Sequence, residues 1–174
     1  HDVFVEAAAK ALAIRDDIVF LAVGGRTDDE RMRGMVDDSG VAGSFVLAGP
    51  RADIPDVLAA LDVSVSASRG GEGLAGAVRE SLMAGTPVVA SDVGGNREII
   101  EDGCTGRLVP PDDAGAMASA ILGLLDQPAR AASMARSGAE LARREFTIEA
   151  MVEKTIRVYE RALGGGAPRG GPLG

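Results

Sequence analysis

The stretch VSVSASRGGEGLAGAVRESLMAGTPVVAS, residues 63 to 91, decides how this chain folds. VSVSAS (63 to 68) reads as a strand, and glycines follow at 70, 71, 73 and 76. GAVRESLMAG then has the pattern of a helix of about two turns, stopped by Gly85 with Pro87 behind it. PVVAS (87 to 91) is a strand again. Strand, glycine-rich loop, helix and strand in succession describe parallel strands joined by a helical crossover.

The same alternation continues on both sides. IVFLAV (18 to 23) and SFVLAG (44 to 49) are short apolar runs that each end at glycine. Such runs are strands of a sheet buried on both faces. GRLVP (106 to 110) adds a fifth strand. HDVFVEAAAKALA reads as a helix in progress, with Val3, Phe4, Ala7, Ala8, Ala11 and Leu12 on one side. Residues 28 to 38 are charged and helical in pattern. Ile54, Val57, Leu58 and Leu61 repeat at helical spacing, and Asp53 stands where a helix cap belongs. NREIIEDG (96 to 103) is a short helix. PPDDAGAMASAILGLLD opens with Pro and Asp and carries Met117, Ile121, Leu124 and Leu125 on one face. Residues 129 to 144 and 147 to 163 form two more helices, the last striped by Ile148, Met151, Val152, Ile156, Tyr159 and Leu163. The fold class is therefore α/β: a Rossmann-like, doubly wound parallel sheet. Residues 1 to 163 are expected to form that domain, and GGGAPRGGPLG (164 to 174) a flexible tail.

Composition narrows the function classes. The 174 residues are 46% hydrophobic, mostly Ala and Val, which favours close helix–sheet packing. Net charge is -8 with scattered Lys and Arg, which argues against a nucleic-acid or anionic-lipid surface. The single cysteine, Cys104, excludes an internal disulfide and a multi-cysteine metal site. No apolar run approaches the roughly 18 residues of a spanning helix, and no signal peptide is visible. A cytoplasmic location is expected.

Doubly wound sheets bind ligands beyond the carboxyl ends of their strands. RGGEGLAG lies there. The first N–H groups of a helix lack internal partners and carry partial positive charge, and glycine lets backbone approach a ligand. Phosphate oxygens suit those amides. Glu72 before the helix and Glu80 one turn into it would flank them, and carboxylates accept hydrogen bonds from neighbouring hydroxyls. A nucleotide-sugar needs that combination. A plain glycine turn with a solvated glutamate satisfies the spacing equally well.

EGLAGAVRESLMAGTPVVASDVGGNREIIEDGCTGRLVPPDD resembles the C-terminal domain of retaining GT-B glycosyltransferases, the glycogen-synthase-like and sucrose-synthase-like group 1 family. HDVFVEAAAKAL, IVFLAVGG, VLAGPRADIPDVLAALDVSVSAS and REFTIEAMVEKTIRVYERAL look like the same family, so the likeness runs from His1 to about Leu163. The resemblance implies transfer of a sugar from a nucleoside diphosphate sugar to an acceptor hydroxyl, with the anomeric configuration retained. By position, Glu72 corresponds to the glutamate that contacts the donor sugar, and is expected to position it rather than attack it. Glu80 corresponds to the glutamate on the nucleotide ribose. Gly73, Leu74, Ala75 and Gly76 correspond to the loop whose amides face sugar and diphosphate. Arg51 corresponds to a position whose backbone meets the nucleobase. Two departures stand out: Leu74-Ala75 replaces Phe-Gly, and Arg79, expected to point to solvent, replaces an apolar residue.

The resemblance also implies what this chain lacks. In the family, an arginine and a Lys-Gly pair that bind the donor phosphates precede the helix containing HDVFVEA. They belong with a first strand, central to the sheet, which is missing here. The acceptor is held by an N-terminal domain, also absent. Any attachment at the inner membrane would run through that domain. The chain is thus expected to be a donor-binding half, inactive alone, needing no cofactor and no obligatory metal. Three rivals share its features: a non-catalytic sugar-nucleotide-binding or regulatory module, an epimerase-like GT-B enzyme, and a dinucleotide-binding domain. The dinucleotide reading lacks a GxGxxG after its first visible strand. Arg97, Glu98 and Gly24-Gly25-Arg26 are weaker candidates, each explained by ordinary surface turns or caps.

Overall fold

The structure is a computed structural model that describes residues 1–70 and 75–164. Helix α1 (Asp2–Leu12) leads to β1 (Phe20–Val23), α2 (Glu30–Asp38), a 3-10 turn at Ala42–Ser44, and β2 (Phe45–Gly49). Then come α3 (Ile54–Ala60), β3 (Ser64–Ser66), α4 (Gly76–Ala84), β4 (Val88–Ser91), α5 (Asn96–Ile99) and β5 (Arg107–Val109). Three helices close the described chain: α6 (Ala114–Leu125), α7 (Pro128–Glu145) and α8 (Ile148–Gly164). Every segment expected as a strand or helix forms one, but the helix expected at 96 to 103 stops at Ile99, and Asp102 instead forms a β-bridge with Gly106. The tail beyond Gly164 lies outside the described residues.

All strand pairs are parallel. They fall into two sheets, β1–β2 and β3–β4–β5. The alternating pattern alone suggests one continuous sheet. The structure instead leaves β1 and β3 as edges, each with one strand neighbour among the described residues. Burial follows. All four residues of β4 are buried because strands lie on both its sides and helices above and below. β3, at an edge, is only half-buried throughout.

Two cores hold the halves together. The larger gathers Val3, Val5, Ala7, Ala8 and Ala11 of α1 against Met117 and Ile121 of α6, and takes in Phe20, Phe45 and Val89 from both sheets. Alanine makes this possible, because it lets α1 and α6 come close to each other and to the sheet. The aromatic content is small, yet Phe4, Phe20 and Phe45 meet at centroid distances of 5.5 to 5.9 Å. The smaller core packs Val78 and Leu82 of α4 with Val88, Ala90, Ile99 and Ala142. Gly138 of α7 allows that approach: a Cβ there would stand 2.6 Å from Leu82 and 2.8 Å from the Thr105 carbonyl oxygen. The stripe on α8 does not join either core. Ile148, Met151, Val152, Ile156, Tyr159 and Leu163 are all exposed. Among the described residues no helix is long and apolar enough to cross a membrane.

Candidate functional site

The site is assembled at the carboxyl ends of the strands. After β3 the chain continues through Ala67, Ser68 and Arg69 to Gly70, and α4 begins at Gly76. Ala75 holds the N-cap position and offers no side-chain acceptor. The first amides of α4 have no intrahelical partner, and among the described residues no side chain caps them. Among the described residues nothing lies within 4 Å of where a Cβ on Gly76 would be. Two hydroxyl contacts fix the helix. Ser64 Oγ and Ser81 Oγ are 2.7 Å apart, with Ser81 donating to the Ala77 carbonyl at 2.7 Å. Thr86, just past the helix, donates to the Leu58 carbonyl at 2.7 Å.

Glu80 stands exposed on the first turns of α4 and lines two depressions. One is a cleft of about 1270 Å³ that runs from the strand ends between the sheets. The other is a hollow of about 520 Å³ formed with Ile54, Leu58, Arg79, Met83 and Phe146. Glu80 and Gly76 at the start of α4 line the same hollow. Ala75 is buried at 2% exposure beneath the helix start, and Gly76 is exposed beside it. Glu72, Gly73 and Leu74 lie outside the described residues.

Two residues, Asp53 and Arg79, behave differently from the sequence reading. Asp53 occupies the N-cap of α3 but makes no cap bond. Its Oδ1 takes a hydrogen bond from Arg51 Nε at 2.7 Å, and the paired guanidinium holds the carboxyl below its usual range. Arg51 sits in the loop after β2, and its exposed side chain is committed to Asp53 rather than to either depression. Arg79 does not project into solvent. It is half-buried against the smaller hollow, and its Nε is buried with no hydrogen-bond partner among the described residues. It shares that hollow with Ile54 and Leu58 of α3 and with Phe146.

Sequence reasoning missed Arg69. This side chain lines the cleft and joins Asp2 at the start of α1, at 2.7 Å, to Asp112 after β5. It is the cation directly before the glycines, which was the available signal. The rim is further closed by a bond from Gly24 N–H to the Gly49 carbonyl at 2.9 Å. Gly49 has φ +65° and an added Cβ would lie 2.7 Å from Asp28 Oδ2, so only glycine fits there. Arg97 pairs with Asp92 on the surface, and its guanidinium keeps that carboxyl low. Cys104 is an exposed free thiol, pushed up by the neighbouring Glu101 carboxylate.

Comparison with known proteins decides the family. The model of the glycosyl transferases group 1 family matches residues 1–127. The chain belongs to that family. The group 1 chain is 35% identical over 167 residues to the phosphatidyl-myo-inositol mannosyltransferase of Mycolicibacterium smegmatis, covering 94% of this chain and 42% of that protein. It thus spans less than half of that relative's length. It also resembles the C-terminal domain of a glycosyl transferase group 1 family protein, LpcC, from Francisella tularensis. There the TM-score is 0.75 at 26% identity, over 84% of this chain and 79% of that one. An Anabaena protein, HepE, solved in complex with UDP-glucose, superposes with a TM-score of 0.82 at 23% identity, over 91% of this chain and 44% of that one. These likenesses establish the Rossmann-like α/β fold of GT-B proteins for this group 1 chain.

Proposed function

We propose that this chain is the donor-binding C-terminal domain of a retaining hexosyltransferase that moves a sugar from a nucleoside diphosphate sugar to an acceptor hydroxyl. The observation that carries the reading is the start of α4, which receives no cap bond from its N-cap residue, with Ala77 and Glu80 of that helix lining the cleft at the strand ends. The amides receive the diphosphate oxygens. Glu80 accepts the paired ribose hydroxyls. Glu72 contacts the hydroxyls of the transferred sugar and positions it, while Gly73, Leu74, Ala75 and Gly76 bring backbone close to sugar and diphosphate. The backbone at Arg51 borders the base. Charge on the leaving diphosphate is stabilised by fixed dipoles, with no obligatory metal. The acceptor binds to a second domain, and residues 1 to 163 alone hold donor without turnover.

UDP-glucose and GDP-mannose titrated calorimetrically onto the chain test the reading. Binding of one of them, abolished or weakened by Glu80→Ala, supports the donor site. Absence of binding to either overturns it. Turnover of either sugar by the chain alone overturns the half-enzyme part and leaves the site standing. A non-catalytic sugar-nucleotide module remains the second reading. It is favoured if a longer protein containing this chain binds the same nucleotide without ever transferring the sugar.

A further inference from the structure

Three arginines among the described residues are half-buried, and Arg79 differs from the other two. Arg15 pairs with Asp17 at 2.7 Å, and Arg107 with Asp102 at 2.9 Å. Arg79 has no carboxylate partner among the described residues, and its Nε is buried without an acceptor. A buried N–H that lacks an acceptor costs free energy, more so on a cation. Where the group 1 pattern carries an apolar residue, this chain carries that cation. Its surroundings show what would answer it. Arg79 lines the hollow of about 520 Å³, whose walls include Ile54 and Leu58 of α3, Met83 of α4 and Phe146. Gly76 and Glu80 stand on the same hollow. Apolar walls suit the faces of a flat ring, and a guanidinium, which only donates, suits an edge that only accepts.

We propose that Arg79 selects the nucleobase of the donor: the base lies in this hollow, and the guanidinium donates to the O6 and N7 acceptors of guanine. The inference rests on the donor-site reading. With the diphosphate at the start of α4 and the ribose on Glu80, the base is attached one bond beyond the ribose. The hollow holds Gly76, Glu80 and Arg79 together, so one nucleotide spans all three. Arg51, whose backbone borders the base in that reading, stands three residues before Ile54, which lines the hollow. The choice of guanine follows from its edges. O6 and N7 are adjacent acceptors, the pair that a planar guanidinium fork meets best. Adenine places its N6 amino donor beside N7 and would set N–H against N–H. Uracil separates its two carbonyl oxygens by the N3–H donor. Cytosine has O2 and N3 side by side, but O2 adjoins the glycosidic bond and faces the ribose. With guanine in place, the Arg79 Nε finds the acceptor it lacks.

Calorimetric titration of GDP, ADP, UDP and CDP onto the intact chain, onto Arg79→Leu and onto Glu80→Ala tests the selection. A further ligand, 7-deaza-GDP, carries a C–H in place of N7. GDP is expected to bind tightest, by about tenfold or more over the other three natural nucleotides. On the unaltered chain 7-deaza-GDP binds more weakly than GDP. Arg79→Leu lowers GDP affinity by about tenfold, brings it level with 7-deaza-GDP, and changes UDP affinity far less. Its melting temperature does not fall, because the substitution removes a buried N–H that has no acceptor. Arg79→Lys, which lacks the fork, restores only part of the preference. Another natural nucleotide binding as tightly as GDP, equal losses of GDP and UDP in Arg79→Leu, or 7-deaza-GDP binding as well as GDP overturns the selection. Should Arg79→Leu unfold, the comparison of GDP with 7-deaza-GDP on the unaltered chain decides. If any nucleotide binds and Glu80→Ala weakens it, the donor site survives a failure of the selection. If none binds, the donor reading fails and the selection with it.

Discussion

Helices α4 and α6 both start at the carboxyl ends of strands, yet they begin in opposite ways. α6 is closed: Asp113 at its N-cap accepts a hydrogen bond from the Ala116 amide at 2.8 Å. α2 is closed likewise, by Asp29 on the Met32 amide at 2.8 Å. α4 has Ala75 at the same position, which supplies no side-chain cap bond. A cap spends the helix end on the fold, whereas an open end keeps its partial charge for something that arrives. The difference separates a structural helix start from one suited to an anion.

Two substitutions should split the two ends with opposite signatures. Glu80→Ala is expected to lower nucleotide-sugar affinity by about 10- to 100-fold, the worth of hydrogen bonds to a charged acceptor, while leaving the melting temperature nearly unchanged. Asp113→Ala should do the reverse, costing about 1 kcal/mol of stability in urea unfolding with donor affinity unchanged. Between them in size stands Gly138→Ala. Its methyl would press on Leu82 and on the Thr105 carbonyl, displacing α4 from α7. It is expected to destabilise by about 1–3 kcal/mol and also to weaken donor binding, because the open end moves with the helix. Unchanged affinity in Gly138→Ala would show that the position of α4 is not held by α7.

Much of this arrangement is legible in the residues. VVAS at 88 to 91 is apolar enough to demand cover on both faces, and all four residues are buried. Asp29 and Asp113 sit where their helices start, and both cap. Asp53 shows the limit of that rule: Arg51 two residues earlier captures its carboxylate, and a local propensity cannot weigh a competing ion pair. The stripe on α8 is as regular as that of α6 but stands exposed, because periodicity reports a face and not what covers it. Division of the sheet depends on which strands lie side by side, a long-range fact that no local pattern carries. At the site, helical spacing puts Glu80 one turn past the start of α4, while its role toward a ligand comes from the resemblance. Arg69 was invisible as a bridge because Asp2 and Asp112 are remote in sequence.

The smallest expected effect distinguishes the closed and open ends by pH. The Met32 amide holds the Asp29 carboxyl below its usual range, with Arg26 adding to the effect. A depressed carboxylate pKa means that its stabilising contribution is complete above the unfolded value, near 3.8, and is lost as pH falls through the lower folded value. Hydrogen exchange at the Met32 amide should therefore speed up, relative to the intrinsic rate, as the solution is acidified below that range. Ala75 has no group to titrate, so the Val78 amide at the matching position of α4 should show no such step from its cap. Asp29→Asn provides the control, because asparagine caps as well as aspartate without ionising. The Met32 step should vanish in that variant while its protection near neutral pH persists. If the step survives, acid is loosening α2 through some other group, and the contrast between the two helix starts would have to rest on ligand binding alone.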